Sequence, residues 1–274
     1  MPLDPEIAAH YAQGLERDRL TTWGRLEAER TRELLTRFLP RPPAVILDVG
    51  GAEGAYALPL ALAGYTVHLV DPMPAHVEAA RSASALQPAA PLTSVEVGDA
   101  RRLEAADGSV DAVLLLGPLY HLVAPNERAR ALAEALRVLR PGGVLLAACI
   151  SRFASTLAGL REGFISESAF EEIVQGDLRD GVHRNPDVAG RPEWFTLAYF
   201  HTPDELRAEV TDAGFAGVQV VSIEGPYAGS EVEAALDDPQ RRAAVLRAIE
   251  RVEGEPSLLG AGSHLMAIGT RPPA

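Results

Sequence analysis

Four short clusters carry side chains or backbone shapes suited to holding and acting on a small ligand. The first is Leu47-Asp48-Val49-Gly50-Gly51-Ala52-Glu53-Gly54. Glycines at this density let a backbone turn tightly and approach a ligand without side-chain collision. Their spacing is not the G-x-G-x-x-G of dinucleotide-binding dehydrogenases, and Asp48 ahead of them would repel a pyrophosphate. A carboxylate there can instead accept hydrogen bonds from an ammonium group, which favours a zwitterionic ligand without phosphates. The second is Asp71, 23 residues after Asp48, where a carboxylate can bind the two hydroxyls of a ribose; Asp71-Pro72 also reads as a helix cap. The third is Gly98-Asp99-Ala100. Asp99 suits either the amino group of adenine, with the Ala100 amide on a ring nitrogen, or a loop cap. The fourth is Leu116-Gly117-Pro118-Leu119-Tyr120-His121. His121 suits either proton transfer near neutral pH, with Tyr120 as a wall beside it, or a bracing bond to a backbone carbonyl.

Each cluster falls where a strand should end. Val45-Ile46-Leu47 is an apolar strand, with a helix expected over 54–63 that Pro59 should kink or shorten. Strands are expected at 66–70, 94–97, 110–116 and 144–150, with helices over 74–86 and from Pro125, the latter burying Leu132, Leu136 and Leu139. The unbroken Val/Leu run at 110–116 indicates burial on both faces, as in a central parallel sheet. Such alternation predicts an α/β, doubly wound sheet. Upstream, Ile7, Tyr11 and Leu15, then Leu26, Leu34, Leu35 and Phe38, mark two helices over 4–39. Downstream, 152–200 breaks the rhythm and holds five of the seven phenylalanines (Phe153, Phe164, Phe170, Phe195, Phe200) with Trp194 and Tyr199. This divides the chain into an N-terminal helical cap (1–43), a ligand-binding core (44–151), an inserted lid (152–200) and a C-terminal completion of the core (201–274). The aromatic residues of the insert either line an acceptor pocket, with Trp194, Tyr199 and His183 as contacts, or pack the insert's own core. His68, His201 and His264 are expected to be structural.

Composition narrows the partners. With 25 basic and 38 acidic residues the net charge is −13, which disfavours nucleic acid. No apolar run reaches the roughly 18–20 residues of a membrane helix, and the N-terminus lacks a signal-peptide pattern. The single cysteine, Cys149, suits a reducing cytoplasm. Oligomeric state is not written in these features.

In order and spacing, Asp48 to Gly54, Asp71, Gly98-Asp99, Asp111-Ala112-Val113 and Leu139-Arg140-Pro141-Gly142-Gly143 resemble the class I S-adenosylmethionine-dependent methyltransferases over residues 44–150. The chain departs from that family's acidic-x-G-x-G-x-G at Ala52. The resemblance implies a seven-stranded Rossmann-like sheet with its last strand antiparallel, S-adenosylmethionine as cofactor and S-adenosylhomocysteine as product. Asp48, Gly50, Gly51, Asp71, Asp99, Ala100 and Leu116 would then bind the cofactor. The Gly-Pro-Leu-Tyr-His run is similar to that of bacterial small-molecule methyltransferases and differs from the Asp/Asn-Pro-Pro-aromatic run of enzymes acting on amides or base amino groups. Tyr11 and Arg30 resemble residues that contact the methionine end, with Arg19 a second candidate for its carboxylate. No magnesium cluster of the catechol type is present in the sequence, so no metal is implied. The implied activity is in-line methyl transfer to a small apolar or aromatic molecule in the cytoplasm, in secondary metabolism, with His121 and Tyr120 at the reacting centre. Two alternatives share the scaffold: a binding module that senses S-adenosylmethionine, and a non-methylating cyclase.

Overall fold

The Asp4 carboxylate accepts the Glu6 amide at 2.9 Å and so caps α1 (Pro5–Ala12); Pro5 sits where its missing N–H costs nothing. The structure, a computed structural model, describes residues 3–14, 16–226 and 229–273, so Leu15 lies outside the described residues. A 3₁₀ turn at Arg19–Thr21 leads into α2 (Arg25–Phe38). The strands are β1 (Val45–Val49), β2 (Thr66–Asp71), β3 (Ser94–Val97), β4 (Val110–Leu115), β5 (Leu139–Ile150), β6 (Val182–His183), β7 (Ala198–Tyr199), β8 (Ala216–Ser222) and β9 (His264–Thr270). The remaining helices are α3 (Ala57–Leu62), α4 (Pro74–Ala85), α5 (Pro118–His121), α6 (Pro125–Val138), α7 (Ala154–Glu162), α8 (Ser168–Asp180), α9 (Pro203–Asp212), α10 (Ser230–Ala235) and α11 (Pro239–Glu250).

Seven strands form one sheet in the order β3-β2-β1-β4-β5-β9-β8, and β6 pairs with β7 separately. Strands β1 to β5 are parallel, while β9 runs antiparallel to both β5 and β8. The expected seven-stranded Rossmann-like sheet is present. Alternation along β4 and β5 divides the core between two faces. Val113, Leu115, Leu145 and Ala147 pack with α6 and α9 through Leu132, Ala135, Leu206 and Val210. Ala112, Leu114, Leu146 and Ala148 pack with α2, α3 and α4 through Leu34, Ala61 and Val77. Strand order reverses between β1 and β4, which opens a crevice at their carboxyl ends.

Two boundaries differ from the sequence pattern. Helix α3 starts at Ala57 rather than 54, so Pro59 falls in its first turn, where no intrahelical bond is lost. Strand β5 begins at Leu139, directly where α6 ends, and Arg140 to Gly143 lie within it instead of forming a separate turn. Between β5 and α9 the chain builds α7, α8 and the β6–β7 hairpin. Phe170, Ile173, Val174 and Trp194 make a small core of their own there, while Phe200 joins Ile150 and Tyr120. No helix among the described residues is long and apolar enough to cross a membrane.

Candidate active site

A cavity of about 1160 Å³ opens over the carboxyl ends of β1, β2, β3 and β4, roofed by α1, the 19–24 segment and the 152–200 insert. Ligand sites usually measure about 300–1,000 Å³, so this space is somewhat larger than a usual single-ligand site.

One end is made by the glycine turn. Asp48 is 1% exposed, and its Oδ2 is buried without a hydrogen-bond partner. Burial, then repulsion from Asp71, raises its pKa to about 7. Gly51 has no room for a side chain, because a Cβ would lie 2.7 Å from that oxygen. Gly50 adopts φ +74, and a Cβ there would meet the Pro118 ring at 2.8 Å. Ala52 takes φ 46, a left-handed conformation that costs a non-glycine residue roughly 1–2 kcal/mol. Its amide donates to Asp71 Oδ2 at 2.9 Å. Asp71 Oδ1 accepts from the Met73 amide at 2.9 Å and faces His76 Nδ1 at 3.1 Å. Asp99 is clamped by Arg101, whose Nε and Nη2 donate at 2.9 and 2.6 Å and whose Nη1 holds Glu127 at 2.5 Å. Burial pulls the Asp99 pKa up, but the Arg101 bonds outweigh it and hold the carboxyl below its usual range. Asp48, Gly50, Gly51, Asp71, Asp99, Ala100 and Leu116 all line the cavity. The orphan Asp48 oxygen fits an ammonium group, so this end has the donor set expected for S-adenosylmethionine.

At the centre, the Tyr11 hydroxyl and His121 Nε2 are 2.7 Å apart. Burial lowers the His121 pKa to about 3, and the Leu197 backbone opposes only part of that shift. Nδ1 is buried with no hydrogen bond of acceptable geometry. A neutral ring of such low basicity, with Nε2 engaged by Tyr11, is a poor proton acceptor near neutral pH. His121 lines the cavity and, through Tyr11, ties α1 to α5, which favours the bracing alternative over proton transfer. Tyr120 lines the same space, with burial raising its hydroxyl pKa.

Arg30 does not reach the cavity. It is 0% exposed, donates from Nε to the Ile223 carbonyl at 3.0 Å, and ion-pairs with Glu33 and Glu253. It braces α2 against the chain beyond β8, and the expectation that it holds a ligand carboxylate is corrected. Arg19 does line the cavity, but it is engaged by Glu27 and by Glu16 at 3.0 Å. Tyr199 is also corrected: it is not among the lining residues, because its ring lies under the Arg128 guanidinium at 3.8 Å.

Trp194 and His183 do line the cavity. His183 stacks on Phe200 with ring centroids 4.6 Å apart and hydrogen-bonds the Trp194 carbonyl from Nε2 at 2.8 Å. Its Nδ1 lies 3.0 Å from Asp177 Oδ2, which also accepts from Ser155 Oγ at 2.5 Å. No local motif signals this buried cluster.

His264, whose strand pattern points to a structural role, lines the cavity with Glu27 and Glu224. His264 Nδ1 hydrogen-bonds Glu224 Oε1, and its backbone N–H donates to Glu224 Oε2 at 3.1 Å. One ligand-type atom from each of Glu27, Glu224 and His264 lies within 4.8 Å of the others, a spacing that would suit a cation. Two positive groups already fill that role: the Arg19 guanidinium on Glu27, and the His264 ring on Glu224. Burial alone would lower the His264 pKa, but Glu224 and Glu27 overcome it and raise it to about 9.

Residues 47–147 match the family model described as a methyltransferase domain. An uncharacterised methyltransferase of Mycobacterium tuberculosis is 37% identical over 113 residues, 41% of this chain and 42% of that relative. A malonyl-[acyl-carrier protein] O-methyltransferase of Geobacter sulfurreducens is 32% identical over 210 residues, covering 77% and 66%. A ubiquinone biosynthesis O-methyltransferase of a Caulobacter strain is 28% identical over 187 residues, covering 66% and 61%. The chain thus spans less than half the length of the first of these relatives. Among solved structures, a methyltransferase from Methanosarcina mazei aligns with a TM-score of 0.58 at 20% identity, covering 88% of this chain and 98% of that one. The [4+2]-cyclase SpnF aligns at 0.56 and 18%, covering 90% and 81%.

Proposed function

We propose that this chain, which belongs to the class I S-adenosylmethionine-dependent methyltransferases, transfers a methyl group to a small apolar or aromatic acceptor without a metal ion. The observation that carries the reading is the Asp48 carboxylate. It is buried at the end of β1 beside a turn with no room for side chains, and one oxygen lacks a partner. A buried, unpaired carboxylate is costly unless a bound cation satisfies it.

When bound, S-adenosylmethionine supplies a methyl group on positively charged sulfur, so the leaving group is the neutral thioether of S-adenosylhomocysteine. Asp48 binds the ammonium, Asp71 receives the ribose hydroxyls, and Asp99 with the Ala100 amide faces the adenine edge. Arg101 fixes Asp99 for that contact. Tyr11 and His121 hold α1 over the junction and exclude water. Tyr120, Phe195 and Phe200 wall the space beyond Leu116, where an apolar ring is held in line for attack; such positioning is the main requirement for an activated methyl donor.

A net charge of −13 supports a small acceptor over nucleic acid, and the neutralised Glu27–Glu224–His264 group supports metal-independent chemistry. Calorimetry with S-adenosylmethionine, S-adenosylhomocysteine and NAD tests the binding assignment. The first two are expected to bind and NAD is not; comparable NAD affinity overturns it. Turnover is expected to be the same with and without EDTA, and loss in EDTA that magnesium restores would overturn the metal-free reading.

A further inference from the structure

We propose that the indole N–H of Trp194 is a specificity determinant of the acceptor site, and that the acceptor carries a neutral oxygen, a carbonyl or ether, at the end of its apolar body remote from the methylated atom. The inference rests on the methyl-transfer reading and narrows its substrate class.

Among the described residues, Trp194 Nε1 is the one buried side-chain atom without a hydrogen-bond partner that can only donate. The residue is 5% exposed and lines the part of the cavity formed by the 152–200 insert. A buried donor left unpaired is costly, and nearly all such groups in folded proteins find an acceptor. Asp48 presents the converse at the glycine turn, an unpaired acceptor suited to a cation.

The surroundings select the partner. Phe164 and Phe170 pack on the indole with ring centroids 6.4 and 5.3 Å away. Ala154 and Ala158, one turn apart on α7, line the same cavity with little bulk. The polar groups nearby are already committed. Ser155 and His183 bond Asp177, Arg161 pairs with Glu162, and Arg191, over the indole at 3.9 Å, is held by Glu167 and Glu193. An occupant therefore meets apolar wall and one N–H. A neutral oxygen on an apolar body matches that pair of features. A charged group would lose its hydration there and gain a single neutral donor.

The donor is also fixed in place. His183 Nε2 donates to the Trp194 carbonyl at 2.8 Å. Asn185 Nδ2 donates to the carbonyls of Arg191 at 2.8 Å and Phe195 at 2.9 Å, one before and one after the tryptophan. Phe195 takes φ 72 and ψ −162, a conformation almost confined to glycine that persists only where the surroundings impose it. With the backbone held so, the consecutive side chains of Trp194 and Phe195 both line the cavity, whereas in an extended chain they would point to opposite faces. Phe195 leads back to the methyl-transfer end, its ring 6.4 Å from that of Tyr120. An acceptor lying from Tyr120 along Phe195 brings its far end to Trp194.

The test uses the full chain, isotope-labelled for NMR and loaded with S-adenosylhomocysteine, and two matched pairs of probes: acetophenone with ethylbenzene, and their naphthyl homologues. Within a pair only the carbonyl differs. Wild-type protein is expected to bind the ketone of at least one pair about 3- to 10-fold tighter than its hydrocarbon partner, the scale of one net hydrogen bond. The chain has two tryptophans, so Trp194→Phe assigns the Trp194 indole N–H resonance by removing it. In wild type that resonance is expected to move further downfield with the ketone than with the hydrocarbon. Trp194→Phe keeps an aromatic ring without the donor; the ketone preference is expected to vanish there, with S-adenosylhomocysteine affinity within twofold. Comparing the pair in both proteins separates the hydrogen bond from packing. Should the variant not fold, the wild-type affinity ratio and the response of the buried indole decide alone. Equal affinity for ketone and hydrocarbon, a preference that survives in Trp194→Phe, an indole resonance unmoved by the ketones, or no binding of either pair overturns the proposal. Failure of wild-type protein to bind S-adenosylhomocysteine instead removes the methyl-transfer reading beneath it.

Discussion

In an Asp48→Asn variant, the carboxyl that burial and Asp71 raise to pKa about 7 becomes a neutral amide of the same shape. An unfolded aspartate has a pKa of about 3.9, so keeping Asp48 ionised in the folded protein costs about 4 kcal/mol above pH 7. Below the unfolded value both states hold the proton and the group has no effect. Between about pH 4 and 7 only the folded state holds it, so this group lowers stability as pH rises, and above pH 7 the full cost persists. The amide removes that cost but brings an NH2 group to satisfy, worth about 1–3 kcal/mol. A net gain of about 1–3 kcal/mol is therefore expected near neutral pH, and none near pH 4. Ligand binding should move the other way. Losing a charge-assisted bond costs about 1.5–3 kcal/mol, so the Kd for S-adenosylhomocysteine rises about 10- to 150-fold. Wild-type affinity should also fall about tenfold per pH unit below 7, because the carboxyl must ionise to bind, and the variant should lack this slope. Thermal melts across pH and calorimetric titrations of both proteins read these effects. A variant no more stable at neutral pH than near pH 4, with unchanged Kd, would refute the assignment of Asp48.

Ala52→Gly relieves a φ of 46 and should raise stability by about 1 kcal/mol, seen as a higher Tm with cofactor affinity retained. Arg30→Ala leaves the buried Ile223 carbonyl without its donor and Glu253 held by Arg37 alone, and should cost about 1–3 kcal/mol. In denaturant melts the loss should be large, while the folded fraction binds S-adenosylhomocysteine as before; a selective loss of affinity would return Arg30 to the site. Tyr11→Phe removes the bond to His121 and should cost about 0.5–1.5 kcal/mol, with faster cofactor dissociation in stopped-flow traces. His121→Asn should lower kcat by less than about 10-fold, since a general base would contribute about 10²–10⁴; a fall in that larger range would reinstate it as the base.

The strand ends are legible in the sequence because β1, β2, β3 and β4 are short stretches rich in Val and Leu that end at or just before an acid or a glycine. That pattern alone places Asp48, Asp71, Asp99 and Leu116 on one edge of the sheet. The roof is harder to read. Arg30 follows Leu26 and precedes Leu34 by one helical turn each, so its spacing puts it on the buried face of α2 rather than toward a ligand. Tyr199 sits in an aromatic-rich insert whose rings divide between a local core and the cavity, and composition alone does not sort them. His264 and Glu224 are 40 residues apart and meet only because β9 turns back between β5 and β8. Nothing in local periodicity carries that contact. The tuning of His121 and His264 in opposite directions, one by burial and the other by carboxylates, likewise depends on neighbours that the fold supplies.

Methyl transfer from S-adenosylmethionine is decided by product mass. Purified protein would be incubated with S-adenosylmethionine and a panel of simple phenols, then analysed by mass spectrometry for both S-adenosylhomocysteine and modified acceptor. Equal amounts of S-adenosylhomocysteine and of a product heavier by one CH2 are expected. Bound S-adenosylmethionine recovered intact, beside acceptors of unchanged or merely rearranged mass, would show that this chain does not transfer the methyl group.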